Sequence, residues 1–195
     1  MPWCMTCDEL TDVAFDGDEA TCPQCETVAA RRAPFPLVIL TGTSGAGKTT
    51  IVDALPQALP EFDVFDCDLL LGHFADFERL FGAWLAIAWS LAMQNRRVVL
   101  ALSSPPEVIE RQPERQLWGD IVFLNIHCDD DERERRLRAR PAWRNSATDK
   151  FIDGTKRFAA VLIDEIAATI DTTNREVEDV VAEVAARIRA VHEKA

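Results

Sequence analysis

The sequence has little positive charge and no long hydrophobic segment. Its 195 residues include 33 acidic and 21 basic side chains, which gives a formal net charge of −12. Because an acidic chain repels phosphate backbones and anionic lipids, nucleic acids and membrane surfaces are not expected as partners. The most apolar segment, residues 81–93, is shorter than the roughly 20 residues that a membrane-spanning helix needs.

The sequence also lacks an export signal at its start, because no basic stretch and apolar run follow the first residue. We therefore expect a cytoplasmic protein. The chain has six cysteines, and four of them form two CxxC pairs. In a chain without an export signal, such pairs indicate metal ligands rather than disulfide bonds.

Short apolar runs alternate with helical segments from residue 37 onward. Strands are predicted at residues 37–41, 63–66, 97–102, 121–127 and 169–172. The main helices are predicted at residues 47–59, 74–95, 129–140, 150–168 and 176–192. This alternation predicts an α/β fold, with a five-stranded parallel sheet between two layers of helices. The two prolines in residues 31–36 suggest a linker between a small module, residues 1–33, and an α/β domain, residues 34–195.

The strongest motif follows the first predicted strand and opens the first predicted helix. It fits the pattern G-x-x-x-x-G-K-[ST] and comprises Gly42, Thr43, Ser44, Gly45, Ala46, Gly47, Lys48 and Thr49, with Thr50 directly after it. In this context the backbone N–H groups of the loop surround a phosphate. Lys48 is expected to reach the β- and γ-phosphates of a nucleotide, and the Thr49 hydroxyl is expected to ligate Mg²⁺.

Two further motifs that would identify other nucleotide-binding proteins are missing. No [NT]-K-x-D sequence, which reads guanine in GTPases, is present. The third predicted strand ends in Ser103 and Ser104 rather than in the acid expected of a motor ATPase. The loop therefore predicts a nucleoside triphosphate site without specifying a GTPase or a motor.

Two acids, Asp66 and Asp68, follow the second predicted strand. In an open parallel sheet this strand end lies near the ligand crevice. One carboxylate is suited to hold a metal-bound water, and the other to accept a proton from an attacking hydroxyl. The alternative is a solvated turn in which Asp68 caps a helix.

An arginine-rich segment, residues 133–144, follows the fourth predicted strand. Arg136 and Arg140 are four residues apart and share one face of a helix, while Arg144 follows Pro141 in a loop. Arginine side chains suit phosphate binding because the guanidinium stays charged and bonds in two places. The alternative is a surface helix with pairs such as Glu132 and Arg136.

With these three motifs, residues 36–192 resemble the nucleoside-monophosphate-kinase-like family of P-loop kinases, which includes shikimate, gluconate and chloramphenicol kinases. The resemblance implies a P-loop NTPase fold, with ATP and Mg²⁺ as cofactors. It implies that Asp68 is the base and Asp66 lies on the metal side, or the reverse. It also implies that arginines of a mobile lid close over the phosphates, and that the loop containing Asn174 and Arg175 packs on the adenine.

The same resemblance places the acceptor site in the region after the acid pair. An acceptor that itself carries a phosphate would require arginines there, such as Arg79, Arg111 or Arg115. A neutral nucleoside or sugar would not require them, and the sequence leaves both alternatives open.

The two CxxC pairs are Cys4 with Cys7 and Cys22 with Cys25. Four thiolates satisfy tetrahedral Zn²⁺, so they predict a zinc-ribbon-like module. The segment between the pairs is slightly shorter than the usual range of about 15–20 residues. The alternative is a redox dithiol. A closed site with four cysteines would be structural, because no position is left for water.

The function expected from the whole sequence is ATP-dependent transfer of a phosphoryl group to a small molecule, with a nucleoside or nucleotide favoured. One alternative is a kinase acting on nucleic-acid ends, with the cysteine module as its recognition element. The other is a regulatory protein that binds a nucleotide and turns it over slowly. The oligomeric state is not predicted.

Overall fold

A computed structural model describes residues 3–4, 6–10 and 14–194 of the chain. Its N-terminal part contains only short antiparallel strands. Strand β1 (Trp3–Cys4) pairs with β2 (Glu9–Leu10), and β3 (Ala14–Asp16), β4 (Glu19–Thr21) and β5 (Val28–Arg31) form a second sheet. Arg31, which we expected in a linker, is therefore the last residue of a strand.

The centre of the molecule is a five-stranded parallel sheet, as predicted. Its strands are β6 (Leu37–Thr41), β7 (Phe62–Asp66), β8 (Arg97–Ala101), β9 (Ile121–His127) and β10 (Thr169–Asp171). They lie in the order β10-β9-β6-β8-β7. All five residues of β6 are buried, which explains why this central strand is a continuous apolar run.

Six α-helices connect and cover these strands within the described part of the chain. They are α1 (Lys48–Ala58), α2 (Phe77–Ala92), α3 (Pro106–Glu110), α4 (Asp130–Arg138), α5 (Asp149–Glu165) and α6 (Val177–Glu193). Short 3₁₀ helices occupy Cys67–His73, Pro113–Leu117 and Ala142–Arg144. Helix α2 begins three residues later than the predicted 74, because Asp76 caps it by accepting a hydrogen bond from the Arg79 N–H group at 2.8 Å.

The sheet separates two hydrophobic cores, which confirms the three-layer arrangement. Alternate residues of β6 point to opposite faces, so Val38 and Leu40 belong to one core and Leu37 and Ile39 to the other. Helices α1 and α6 cover the first core, and α2 covers the second. None of the described helices combines the length and apolar character needed to cross a membrane.

The three-stranded N-terminal sheet packs directly against the α2 side of the main domain. Ala20 of β4 and Ala30 of β5 are buried in the same core as α2. The Trp89 indole N–H donates to the Arg31 carbonyl at 2.8 Å, and the Ala33 N–H group donates to the Leu117 carbonyl at 2.9 Å. The two parts of the chain therefore share a core and backbone hydrogen bonds.

Candidate active site

The predicted phosphate loop, residues 42–47, joins the carboxyl end of β6 to α1. Side chains from neighbouring strand ends hold it in place. The Ser103 hydroxyl, after β8, donates to the Gly42 carbonyl at 2.9 Å. The Thr172 hydroxyl, after β10, donates to the Ala46 carbonyl at 2.9 Å. Because the two donors follow two different strands, they hold the loop backbone from two directions without any ligand.

Two glycines of the loop are required by its geometry. A Cβ atom at Gly42 would lie 2.4 Å from the Ile126 carbonyl oxygen of β9, so no side chain fits there. Gly47 precedes α1 with φ of 97°, a conformation that strains other residues. No side chain caps this helix, so the N–H groups of its first turn remain available to an anion.

The Lys48 side chain lies back along the loop in this structure. Its ammonium group donates to the Gly42 carbonyl at 3.1 Å and to the Ser103 hydroxyl at 2.9 Å. Burial lowers the pKa of Lys48, while the carboxylates of Asp66 and Asp68 act in the opposite direction. The lysine and the two acids are therefore close enough to influence one another.

The acid pair follows β7, and its two members have different environments. Asp66, the last residue of β7, accepts a hydrogen bond from the Asp68 N–H group at 3.0 Å and caps the 3₁₀ helix. Our alternative placed the cap at Asp68, so that assignment was wrong. Burial, together with the neighbouring charge of Asp66, raises the pKa of Asp68, and Lys48 opposes this shift. A carboxylate with a raised pKa is a better proton acceptor.

Arg133 is a site residue that the sequence reasoning missed. Its side chain is fully buried and reaches the loop, where its Nε donates to the Thr43 hydroxyl at 3.0 Å. It also donates to the Cys128 carbonyl at 2.7 Å and pairs with Asp130. The available signal was Leu137, the one apolar residue of α4, because a residue four positions earlier lies on the same buried helix face.

The three predicted lid arginines occupy different positions. Arg136 donates to the Gly45 carbonyl at 3.2 Å and to the Thr172 hydroxyl at 3.0 Å, so it lies against the loop. Arg140 is half-buried, and its positive charge contributes to lowering the pKa of Lys48. Arg144 is exposed and stacks over the Trp143 ring at 5.1 Å. The structure therefore brings Arg136 to the loop and leaves Arg144 outside it, while the charge of Arg140 acts on Lys48 without a direct contact to the loop among the described residues.

A cavity of about 220 Å³ lies beside the end of the loop. It is lined by the two arginines Arg136 and Arg175 and by the apolar residues Ile51, Val177 and Val180. Arg175 is held by an ion pair with Glu183 at 2.7 Å. Asn174, the other predicted base contact, is exposed in the preceding turn with φ of 50° and does not line the cavity.

A larger open cavity of about 480 Å³ lies near Pro36 and Asp120, at the opposite end of the sheet. Ligands of open parallel sheets bind at the carboxyl ends of the strands. The smaller cavity is at the carboxyl end, adjoins Gly47 and Thr50, and is therefore the better candidate for a nucleobase.

The residues around the loop also fit a magnesium ion. Thr49 lies exposed in the first turn of α1, and its hydroxyl makes no hydrogen bond to the part of the chain that the structure describes. Asp66 and Asp68 lie near the loop lysine and add carboxylate oxygens. Hydroxyl and carboxylate oxygens are the ligands that Mg²⁺ prefers.

The four predicted metal-binding cysteines come together in the N-terminal part. All four sulfur atoms lie within 4.8 Å of one another. The Cys4 and Cys25 sulfurs are 3.6 Å apart, and the Cys7 and Cys22 sulfurs are 3.8 Å apart. A tetrahedral site with Zn–S bonds of about 2.3 Å requires sulfurs about 3.8 Å apart, so the arrangement fits Zn²⁺.

No protein-family model matches the sequence, and no curated protein matches it either. Solved structures do. A gluconokinase from Sinorhizobium meliloti 1021 aligns with a TM-score of 0.56 and 19% identity, over 84% of this chain and 97% of that one. A shikimate kinase from Acinetobacter baumannii in complex with shikimate aligns with a TM-score of 0.53 and 15% identity, over 81% and 95%.

A tunicamycin resistance protein from Deinococcus radiodurans aligns with a TM-score of 0.57 and 16% identity, over 80% of this chain and 94% of that one. All three likenesses extend over almost the full length of the known proteins. They confirm the predicted fold, which is the three-layer fold of P-loop kinases.

Proposed function

We propose that this protein transfers the terminal phosphoryl group of ATP to a hydroxyl group of a small molecule. The observation that carries the proposal is that Asp66 and Asp68 follow β7 opposite Ala101 at the end of β8, while Lys48 bonds to Ser103 just beyond that same strand end, beside an uncapped helix N-terminus. A phosphate-binding loop alone supports nucleotide binding, but a carboxylate with a raised pKa next to the lysine supports transfer to an alcohol. Nucleosides and nucleotides are the acceptors to test first.

In the proposed reaction, the acceptor oxygen attacks the γ-phosphorus, the bond to the β-phosphate oxygen breaks, and ADP leaves. Asp68 accepts the proton of the attacking hydroxyl. Lys48 turns from the Gly42 carbonyl towards the phosphates, and Arg140 adds a second positive charge. Mg²⁺, held through Thr49 and on the Asp66 side of the acid pair, would neutralise charge on the β- and γ-phosphates when bound.

The nucleobase would enter the cavity between Arg136 and Arg175. Guanidinium planes stack on aromatic rings, and the apolar lining of Ile51, Val177 and Val180 suits a flat base. Arg136 would then act at the base end of the nucleotide, because its guanidinium is bonded to Gly45 and Thr172. Asn174 remains a weaker candidate for contact with the base.

Two measurements on the purified chain test the proposal. Calorimetric titration with Mg²⁺ and a non-hydrolysable ATP analogue should give binding. Release of ADP should rise when a panel of alcohols, sugars and nucleosides is added. Lys48→Met should reduce acceptor-dependent turnover about 10²–10³-fold, as loss of one charge-stabilising donor does. Lys150→Met, which changes an exposed lysine on α5, is the matched control. Absence of nucleotide binding would refute the proposal.

We also propose that the four cysteines bind one structural Zn²⁺. Their separations fit a tetrahedral site. Among the described residues, the cluster contains these four cysteines and no carboxylate or imidazole group. Because the module shares the α2 core and the Trp89 and Leu117 hydrogen bonds, metal binding would stabilise the main domain as well.

Elemental analysis of protein purified without added metal should find about one zinc per chain. A strong chelator should lower the melting temperature of the whole domain and expose Trp89 to quenching. Cys22→Ser should lose the metal, whereas Cys128→Ser, a buried cysteine beside the phosphate loop, should retain it. Protein that carries no zinc and shows no response to the chelator would contradict this assignment.

A further inference from the structure

The segment that follows the acid pair exposes large hydrophobic side chains on the proposed acceptor side of the cleft. It consists of the 3₁₀ helix after the acid pair and the first turn of α2. Three large hydrophobic side chains stand in solvent there: Leu69 is 71% exposed, Leu71 is 42% exposed and Phe77 is 59% exposed. We call these three residues the apolar rim.

The apolar rim is positioned beside the proposed base. A 3₁₀ helix has three residues per turn, so Asp68 and Leu71 lie above one another on the same face. The helix is anchored at its start, because the Trp84 indole N–H donates to the Cys67 carbonyl at 3.1 Å. The start of the 3₁₀ helix, next to Asp68, is therefore tied to α2 by a buried hydrogen bond.

The arginines that a phosphate-bearing acceptor would require are engaged elsewhere. Arg79 is highly exposed and pairs with Asp76 at 3.6 Å. Arg111, the residue directly after α3, pairs with Glu107 of that helix. Arg115 pairs with Glu110 at 2.8 Å and donates to the Trp118 carbonyl at 2.8 Å.

Unneutralised carboxylates lie on the same side. Glu78 and Glu114, together with Arg79, line a cavity of about 340 Å³ between α2 and the segment after α3, so acids outnumber bases there. Neither makes an ion pair or a side-chain hydrogen bond within the described ranges. A Cβ atom at residue 82 would lie 2.7 Å from a Glu114 carboxylate oxygen, so Gly82 makes room for this acid. Together with Asp66 and Asp68, these acids would repel an anionic acceptor.

We infer that the acceptor is an alcohol with an apolar or aromatic body and without a phosphate or carboxylate group. This inference rests on the proposed function and specifies its substrate class. The apolar rim would cover the body of the acceptor, and Asp68 would face its hydroxyl. Of the two alternatives that the sequence left open, this selects the neutral acceptor.

The test uses matched neutral and anionic probes on the full chain saturated with Mg²⁺ and a non-hydrolysable ATP analogue. The probes are 1-phenyl-1,2-ethanediol against mandelate, and thymidine against thymidine monophosphate. Binding is followed by NMR shift changes during titration. The neutral member of each pair should bind at least about fivefold more tightly. Equal or tighter binding of the anionic members, or binding of none of the four probes, would overturn the inference.

A pair of variants locates the binding. Leu71→Ser should weaken phenylethanediol binding by about fivefold or more, since it removes apolar contact beside Asp68. Ile87→Ser is the control, because Ile87 lies later on α2 with a similar exposed fraction of 40%. Equal effects of both variants would overturn the inference. Nucleotide binding is measured first. If the protein binds no nucleotide, the proposed function fails. If it binds nucleotide but prefers the anionic probes, this inference alone fails.

Discussion

The two sides of the cleft are built in different ways. On the proposed nucleotide side, polar side chains from several elements bond to the loop: Ser103 and Thr172 donate to its backbone, and Arg133 donates to the Thr43 hydroxyl. On the acceptor side, arginines pair with nearby acids, and the hydrophobic side chains of the apolar rim face solvent. One side is a fixed polar framework, and the other is an open apolar surface.

This difference follows from what each side is proposed to bind. A triphosphate presents the same charged oxygens in every nucleotide, so a rigid set of donors suits it. An acceptor body varies from one enzyme to another, and apolar contact depends on shape rather than on fixed bond directions. The nucleotide side should therefore respond to substitution in stability and nucleotide affinity, and the acceptor side in turnover and acceptor choice.

The largest effect expected from a single change on the acceptor side is that of Asp68→Asn. It should lower acceptor-dependent turnover about 10²–10⁴-fold, the usual contribution of a general base. Affinity for the Mg²⁺–nucleotide complex should change little, because the loop and Lys48 remain. Steady-state ADP release and calorimetric titration measure the two quantities.

Asp53→Asn is the matched control, since Asp53 is an exposed acid on α1. It should leave both quantities unchanged. Turnover that persists in Asp68→Asn and falls instead in Asp66→Asn would reverse the roles of the two acids. Persistence in both variants would remove the acid pair from the mechanism.

A somewhat smaller effect is expected on the proposed nucleotide side from Arg133→Met, and it should appear in stability and nucleotide affinity rather than in turnover. The change leaves the buried Thr43 hydroxyl and Cys128 carbonyl without a donor from Arg133, at a cost of about 2–4 kcal/mol in the free energy of unfolding. Because Thr43 belongs to the loop, nucleotide affinity should fall as well. Urea denaturation and calorimetric titration provide the measurements.

Arg135→Met is the control on the same helix. Arg135 is exposed and pairs with Glu132, so its loss should cost less than about 1 kcal/mol. Equal destabilisation by the two variants would show that Arg133 has no special role in holding the loop.

Much of the proposed nucleotide side was predictable from the sequence, because its strands and its loop follow local patterns. The loop motif and the apolar runs of β6 and β9 gave the correct strand bounds and the correct loop. Arg133 was not predicted, since a charged residue in a charged helix is normally exposed. Its burial depends on the loop that packs over α4, a contact between residues far apart in sequence.

The acceptor side was less predictable for a related reason. Leu69, Leu71 and Phe77 are hydrophobic, and a sequence pattern assigns such residues to the core. Leu69 and Leu71 lie on the exposed side of the 3₁₀ helix and Phe77 begins α2, and nothing in the local sequence indicates that these positions face solvent. The pairing of Arg79 with Asp76 was likewise outside the motif, because it follows from the helix cap at Asp76.

The smallest expected effect is a change in the free energy of unfolding with pH, and Asp68 on the proposed acceptor side determines its sign. The pKa of Asp68 is raised in the folded protein, mainly by burial and then by Asp66, above the value of about 3.9 expected when unfolded. Between these two values the folded state binds more protons than the unfolded state, so the free energy of unfolding falls as pH rises. Above the folded pKa, the ionised Asp68 destabilises the protein by a constant amount.

Asp68→Asn removes this destabilisation while keeping the N–H group that bonds to Asp66. The variant should therefore be more stable than the wild type at pH 7.5, and the difference should shrink as the pH falls towards 4. Acceptor-dependent turnover of the wild type should fall over the same acidic range, because the base becomes protonated. Denaturation curves and initial rates from pH 4 to 8 measure both. A variant less stable than the wild type at pH 7.5 would mean that Asp68, like Arg133, stabilises the fold. That result would contradict its role as the base, because a carboxylate with a raised pKa lowers the free energy of unfolding at a pH where it is ionised.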